Sequence, residues 1–265
     1  MELTVPRRPR LRSLAPREHG AYGQLAAPMV VALGGGAPGP SALLLSGSAW
    51  AFFLAHEPVL VLLGRRGERA RTEHGGRAAG RLLLLGLAGV ALGALGLLLA
   101  APAVRVAALA VAPLGIAFAA VVAAGAERSA SGEVLAAATL AGVSVPVALA
   151  SGIDDGSALG AWLVWVLGFV AVTVPVRSIG AQRRAHASAS RRLLPVAGVL
   201  ALAVALRGTV FGWLEVVALA PLMVSGAFLA IARPEPRRLR QIGWSIVGSM
   251  LCTSAVLLLA ARRNT

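Results

Sequence analysis

The sequence predicts an all-α polytopic membrane protein of about nine transmembrane helices with its amino terminus in the cytoplasm. Three observations carry that prediction. Of 265 residues, 57% are apolar and 14% are charged, whereas a soluble domain carries roughly 25% charged residues; the mean hydropathy is +0.79. The apolar residues gather in runs near the ~20-residue length of a membrane helix. The basic charge is all arginine, with no lysine in the chain, and it is banded in the gaps between those runs.

The runs fall near residues 21–36, 41–63, 82–101, 106–124, 134–150, 159–176, 193–206, 210–232 and 243–260. The seventh is short and carries Pro195, so it is either a crossing or a broken piece joined to the eighth through Arg207, Gly208 and Thr209. Arginine placement decides between these. With a cytoplasmic amino terminus, 21 of the 25 arginines lie inside, and only Arg105, Arg207, Arg262 and Arg263 lie outside, beside the acidic turn Asp154–Asp155. That split obeys the positive-inside rule. Fusing the seventh and eighth runs would put Arg233, Arg237, Arg238 and Arg240 outside, so nine crossings and an external carboxyl terminus fit best.

Residues 1–15 read as a disordered basic arm able to touch anionic lipid, and residues 16–265 as a single transmembrane helical domain. Arg7–Arg8 is flanked by Pro6 and Pro9 rather than an export consensus, and Gly34 to Pro40 offers no convincing small-x-small cleavage site. A net charge of +14 would suit nucleic acid if it were gathered on one face with aromatics. Spaced between apolar runs, it sets topology instead, so no nucleic-acid partner is expected. The lone Cys252 lies in the last run and has no intrachain partner for a disulfide. Gly86, Gly89, Gly93 and Gly96 line the third run for close helix approach. Pro146, Pro175, Pro195 and Pro221 are sites of helix kinking.

Candidate chemistry lies with the polar residues that lipid would reject. The first group is Arg17, Glu18, His19, Tyr22 and Gln24, at the cytoplasmic entry to the first run. It reads equally as an interfacial cap with Tyr22 as membrane anchor. The second is His56–Glu57–Pro58, with Glu57 about 10 Å inside the boundary marked by Gly64 and Arg65 at 1.5 Å per residue. An ionised carboxylate at depth costs about 2.5 to 3.5 kcal/mol. Glu57 must therefore be protonated, paired with an arginine of the adjacent loop, or open to a wet cavity. The third comprises Glu127, Arg128 and Glu133 between the fourth and fifth runs, and Arg177 after the sixth. Each of these serves equally as a solvated loop charge, but all fall on the cytoplasmic side.

Pro16-Arg17-Glu18-His19-Gly20-Ala21-Tyr22, followed in order by Pro58 with an apolar run into Gly64-Arg65-Arg66, then Glu127-Arg128, then Val176-Arg177-Ser178-Ile179, resembles the YwiC-like membrane proteins over about residues 16–190. The chain departs from that pattern at Gly132-Glu133, where the family has Asn-Asp, and at His56-Glu57, where an aromatic commonly precedes the proline. The resemblance implies a bacterial inner-membrane protein and brings no assigned reaction. At the level of helix number the chain also resembles UbiA-type prenyltransferases. Those enzymes hold Mg²⁺ and diphosphate with aspartate-rich loops, where this chain has arginines, Glu68 and Glu73.

Without lysine there is no Walker P-loop and no Schiff-base lysine. His19, His56, His74 and His186 have no metal-ligand spacing, so no metal is expected and the sequence names no cofactor. Four readings remain open. In the first, the polar cytoplasmic residues bind or modify an anionic lipid-like or phosphorylated ligand, with arginines as phosphate partners and Glu57, His19 or His56 as catalytic groups; Arg17, Glu18, Tyr22, Gln24, Arg65, Glu127, Arg128, Glu133 and Arg177 would hold that ligand. The others are a UbiA-like transferase with different ligands, a transporter using His56, Glu57 and Gln24, and a membrane scaffold or assembly factor. The transporter reading is weakened by an outer half whose polar residues amount to little beyond Arg207 and Glu215.

Overall fold

The computed structural model describes residues 19–181, 189–209, 211–232 and 239–264. Among them are ten helices: α1 (His19–Gly34), α2 (Pro40–Leu62), α3 (Glu68–Leu98), α4 (Pro102–Ala124), α5 (Ala130–Gly142), α6 (Ser144–Ala150), α7 (Asp155–Ala181), α8 (Ala189–Ala205), α9 (Trp213–Ala232) and α10 (Leu239–Asn264). Each expected apolar run is helical. α5 and α6 together form one apolar segment, Ala130–Ala150. Their break at Val143 has a covalent cause. Pro146 has no N–H to offer the carbonyl of Gly142, so the ladder lapses one turn earlier, and the Ser144 hydroxyl donates to the Ala141 carbonyl at 2.7 Å.

Seven segments are long and apolar enough to cross a membrane, and Leu193–Ala205 in α8 is a shorter apolar helix. The chain is therefore a multi-pass membrane protein. α3 differs from expectation at its start, where the helix begins 14 residues before the apolar run at residue 82. Arg, Glu and Ala are good helix formers, and the Arg69–Glu73 pair at 2.6 Å supports that polar stretch.

Neighbouring contacts give the direction of each helix. α2 and α3 run antiparallel: the Ser48 hydroxyl donates to the Gly89 carbonyl at 2.7 Å and the Ser41 hydroxyl to Gly96 at 2.9 Å. Gly89 and Gly96 also lie against Phe52 and Leu45, which is the close approach expected of small residues. α4 and α5 are antiparallel: Thr139 donates to the Leu114 carbonyl, and Gly142, further along α5, lies against Val111, earlier in α4. α7 and α9 run parallel, because Gly168 packs on Leu222 and, further along both, Gly226 meets the Ala171 backbone. A parallel pair needs a return between its members, and α8, packed on both, supplies it. The short seventh run is thus a crossing.

α1 and α10 are also parallel: Gly23 packs on Met250, Gly34 on Leu258 and Gly35 on Ala261. The chain accordingly leaves at the end opposite to the start of α1. That requires an odd number of crossings, in agreement with nine. The arginine-poor end is closed by the Ala37 amide on the Ser151 carbonyl at 2.8 Å. There Gly36 sits so near the Ser151 carbonyl that no side chain fits. Asp154 begins α7 by accepting the Ser157 amide at 2.9 Å. Hydrogen bonds from the side chain and the amide of Ser157 hold its carboxyl below the usual carboxylate value.

One buried cluster is built on α7, α8, α9 and α10 around Trp165, Leu219, Leu222 and Leu229. The other joins α1, α2 and α6 around Leu25, Phe53 and Val147. α3, packed on α2, and α4, packed on α5 and α6, stand at the edge, with Leu83, Leu84, Leu87, Leu109 and Ile116 exposed, as suits lipid-facing helices.

Two outcomes are expected. Gly226→Ala forces a methyl onto the Ala171 carbonyl and lowers stability in detergent by about 1 to 3 kcal/mol, while Gly248→Ala, which meets nothing, does not; equal unfolding midpoints would remove the seam from the account. A topology reporter fused after Thr265 reads on the face opposite to one inserted after Gly67, and the same face for both would exclude an odd number of crossings.

Candidate functional site

Among the described residues, the expected site residues Glu57, Arg65, Glu127, Arg128, Glu133 and Arg177 lie at the end of the bundle where α2, α4 and α7 finish and α5 begins. Glu57 is 2% exposed and its partner Arg66 17%. Arg66 Nε donates to Glu57 Oε1 at 2.9 Å and Nη2 to Oε2 at 2.6 Å, a two-pronged match of planar groups. The depth of Glu57 is resolved by pairing with the adjacent loop. Gly64 at φ 72° and Gly67 at φ 92° turn the chain so that Arg66 points back along α2. Such left-handed angles are cheap only for glycine.

Trp50, Phe53 and Glu57 lie on one face of α2, spaced by three and four residues. Trp50 and Phe53 touch Tyr22 at ring-centroid distances of 6.5 and 4.9 Å. Glu57 is a turn further toward the start of α1. Tyr22 therefore packs on the same face of α2 that carries Glu57, one helical turn away. Arg17 and Glu18 lie outside the described residues, and His19 is described by its backbone alone. Gln24 is half-buried on α1. His56 turns the other way and stacks on Phe118 of α4, centroids 5.8 Å apart and planes at 24°.

The α4–α5 connection is a second focus. α4 ends at Gly125, whose φ is 73°. A side chain there would strike the Arg65 guanidinium, which donates from Nη2 to the Ala123 carbonyl at 2.8 Å. Ser129 then starts α5 by accepting the Gly132 amide at 3.0 Å. From the far side Arg177 Nη1 reaches both Glu133 Oε1 at 2.6 Å and the Arg128 carbonyl at 2.8 Å. Arg65, from the α2–α3 turn, and Arg177, from α7, thus fasten one short connection.

Within that loop Glu127 is anomalous. Its Oε2 is buried and has no hydrogen-bond partner among the described residues. Arg128 beside it is exposed. A buried carboxylate oxygen without a donor costs about 1 to 3 kcal/mol or more, and such a group calls for an explanation such as an unseen donor or a role in function.

The structure brings Glu133, Arg177 and Arg128 together, puts Arg65 against the same loop, and sets Glu57 with Arg66 on the α1 side of α2. Arg66, Gly125 and Ser129 were not among the expected site residues. Gly125 after an apolar run and Ser129 three residues before Gly132 are readable as helix-end signals. The pairing of Arg66 rather than Arg65 with Glu57 depends on a turn conformation that spacing does not give. A cavity is present elsewhere, at the opposite end of the bundle, and none of the expected site residues lines it. Among the described residues no three His, Cys, Asp or Glu side chains are grouped to hold a metal ion.

A family model described as YwiC-like protein matches residues 15–149, just over half of the chain. The chain belongs to the YwiC-like family. Comparison with curated proteins and with solved structures finds no match. The matched stretch holds both foci, from the entry of α1 through Glu57–Arg66 to Glu127 and Glu133. Arg177, the outer clasp on the loop, falls beyond it.

Glu57→Gln or Arg66→Gln strands half of a buried pair, and each is expected to cost about 3 to 5 kcal/mol. The double variant Glu57→Leu/Arg66→Met recovers most of that in detergent unfolding. Additive losses in the double variant would show that the two side chains act separately.

Proposed function

We propose that this YwiC-like protein binds an anionic, lipid-like or phosphorylated ligand at its arginine-rich end, with the α4–α5 loop as the floor of the site. The positive-inside rule supports a cytoplasmic position for that end, and the family resemblance suggests a bacterial inner membrane. The observation that carries the reading is Glu127: a buried carboxylate oxygen without a donor, next to an exposed guanidinium on Arg128. Such a pair suits a ligand that offers both a phosphate and a hydroxyl or amine. Arg128 binds the former bidentately, and Glu127 accepts from the latter or serves as general base if a reaction follows.

Glu57 is less suited to that task. Both its oxygens are occupied by Arg66, so it acts by fixing the α2–α3 turn and, through it, the direction of Arg65. The same occupation weakens a proton path through His56 and Glu57. A UbiA-like transfer with other ligands would need acids to gather at this end, and the acids near the loop are Glu127 and the arginine-bound Glu133. Tyr22 and Gln24 of α1, with His19, Arg17 and Glu18 of the same sequence motif, remain in the proposed ligand-binding set.

A second reading has its own observation. Arg65, Arg66 and Arg177 are all spent on protein carbonyls and carboxylates, as expected of a scaffold whose arginines fasten helices. Lipid copurification separates the two. Wild-type protein in mild detergent is expected to retain anionic phospholipid or another phosphorylated lipid, and Glu127→Gln and Arg128→Ala to lose it several-fold while folding normally. An unchanged set of bound lipids in both variants would sink the ligand site and leave the scaffold.

A further inference from the structure

The cavity at the arginine-poor end is lined from five helices and includes Trp165, Glu215, Ser144 and Ser157. It has room for water-sized occupants of about 20 Å³, where one water needs roughly 10 to 15 Å³. It is too small for a lipid or a metabolite. Two of its polar groups are deeply buried. Trp165 is 0% exposed, and its indole N–H has no acceptor among the described residues. Glu215, in the first turn of α9, is 8% exposed.

We propose that this cavity is a hydration site in which ordered water joins the Trp165 Nε1–H to the Glu215 carboxyl group. The chemistry of the lining fits water in both directions. The indole can only donate, a carboxylate can only accept, and water does both. A buried donor with no acceptor costs about 1 to 3 kcal/mol. A dry apolar cavity would tolerate emptiness, but a polar one with two to four partners holds water. The hydroxyl of Ser144, which donates to the Ala141 carbonyl at 2.7 Å, retains lone pairs to receive a further hydrogen. The cavity is bordered by Pro28 and Ala32 of α1 and Ala260 of α10, so the water would sit where the parallel α1–α10 pair meets α7 and α9. It would give the arginine-poor half a wet buried acid, separate from the loop at the other end.

The test uses ¹⁵N-indole-labelled protein in nanodiscs. The resonance of Trp165 among the five tryptophans is assigned by its loss in Trp165→Phe. If that variant does not accumulate, Trp→Phe at Trp50, Trp162, Trp213 and Trp244 assigns it by elimination. Expected are a hydrogen-bonded downfield position and a cross-peak to water for Trp165. Both should be retained in Glu215→Gln, lost in Glu215→Leu, and lost when Ala260→Val fills the space. A Trp165 signal with no water cross-peak would overturn the proposal. So would a signal unchanged in Glu215→Leu, which would remove the acid from the bridge. A downfield signal without water that moves in Glu215→Gln would show a direct bond instead, and would equally overturn it.

Discussion

The close seam between α7 and α9 is the constraint on which the rest of the bundle depends. Lipid gives helices no hydrophobic reason to associate, so contact must come from packing and hydrogen bonds. Gly168 and Gly226 let the two backbones approach until a methyl would not fit. Because the seam is parallel, it forces α8 to cross, and because α8 crosses, α10 can return beside α9. The Thr253 hydroxyl then donates to the Ala218 carbonyl at 2.8 Å. α10 in turn lies along α1, which seats the first half of the chain, with its family motifs, on the second.

Much of this was legible from composition. Each apolar run is helical, one of them split into α5 and α6, and the arginine count on each side by itself implies an odd number of crossings. The start of α3 was missed because hydropathy marks where lipid begins, not where a helix begins. The polar stretch from Glu68 to Arg81 is helical outside the apolar run. Pro146 was readable as a kink, and its effect is the α5–α6 break.

The candidate site was legible as a side of the membrane rather than as a set of contacts. Glu57 stood out because a carboxylate is costly at that depth, and pairing with the adjacent loop answers the cost. Which arginine would answer it was hidden in two left-handed glycines. Glu127 looked like an ordinary loop acid in sequence. Only burial distinguishes it, in a five-residue connection that two arginines 112 positions apart in sequence fasten near its ends.

The hydroxyls buried between helices have a further consequence. Ser48, Thr139 and Thr253 each donate to a carbonyl of a neighbouring helix. A carbonyl has two lone pairs, so an acceptor already used within its own helix can take the extra bond without giving up the first. Apolar side chains sliding against one another would let a cylinder roll about its long axis at little cost. One hydroxyl aimed at one oxygen stops that rolling. The polar ends of α2, α5 and α10 therefore face a fixed compass direction around the bundle.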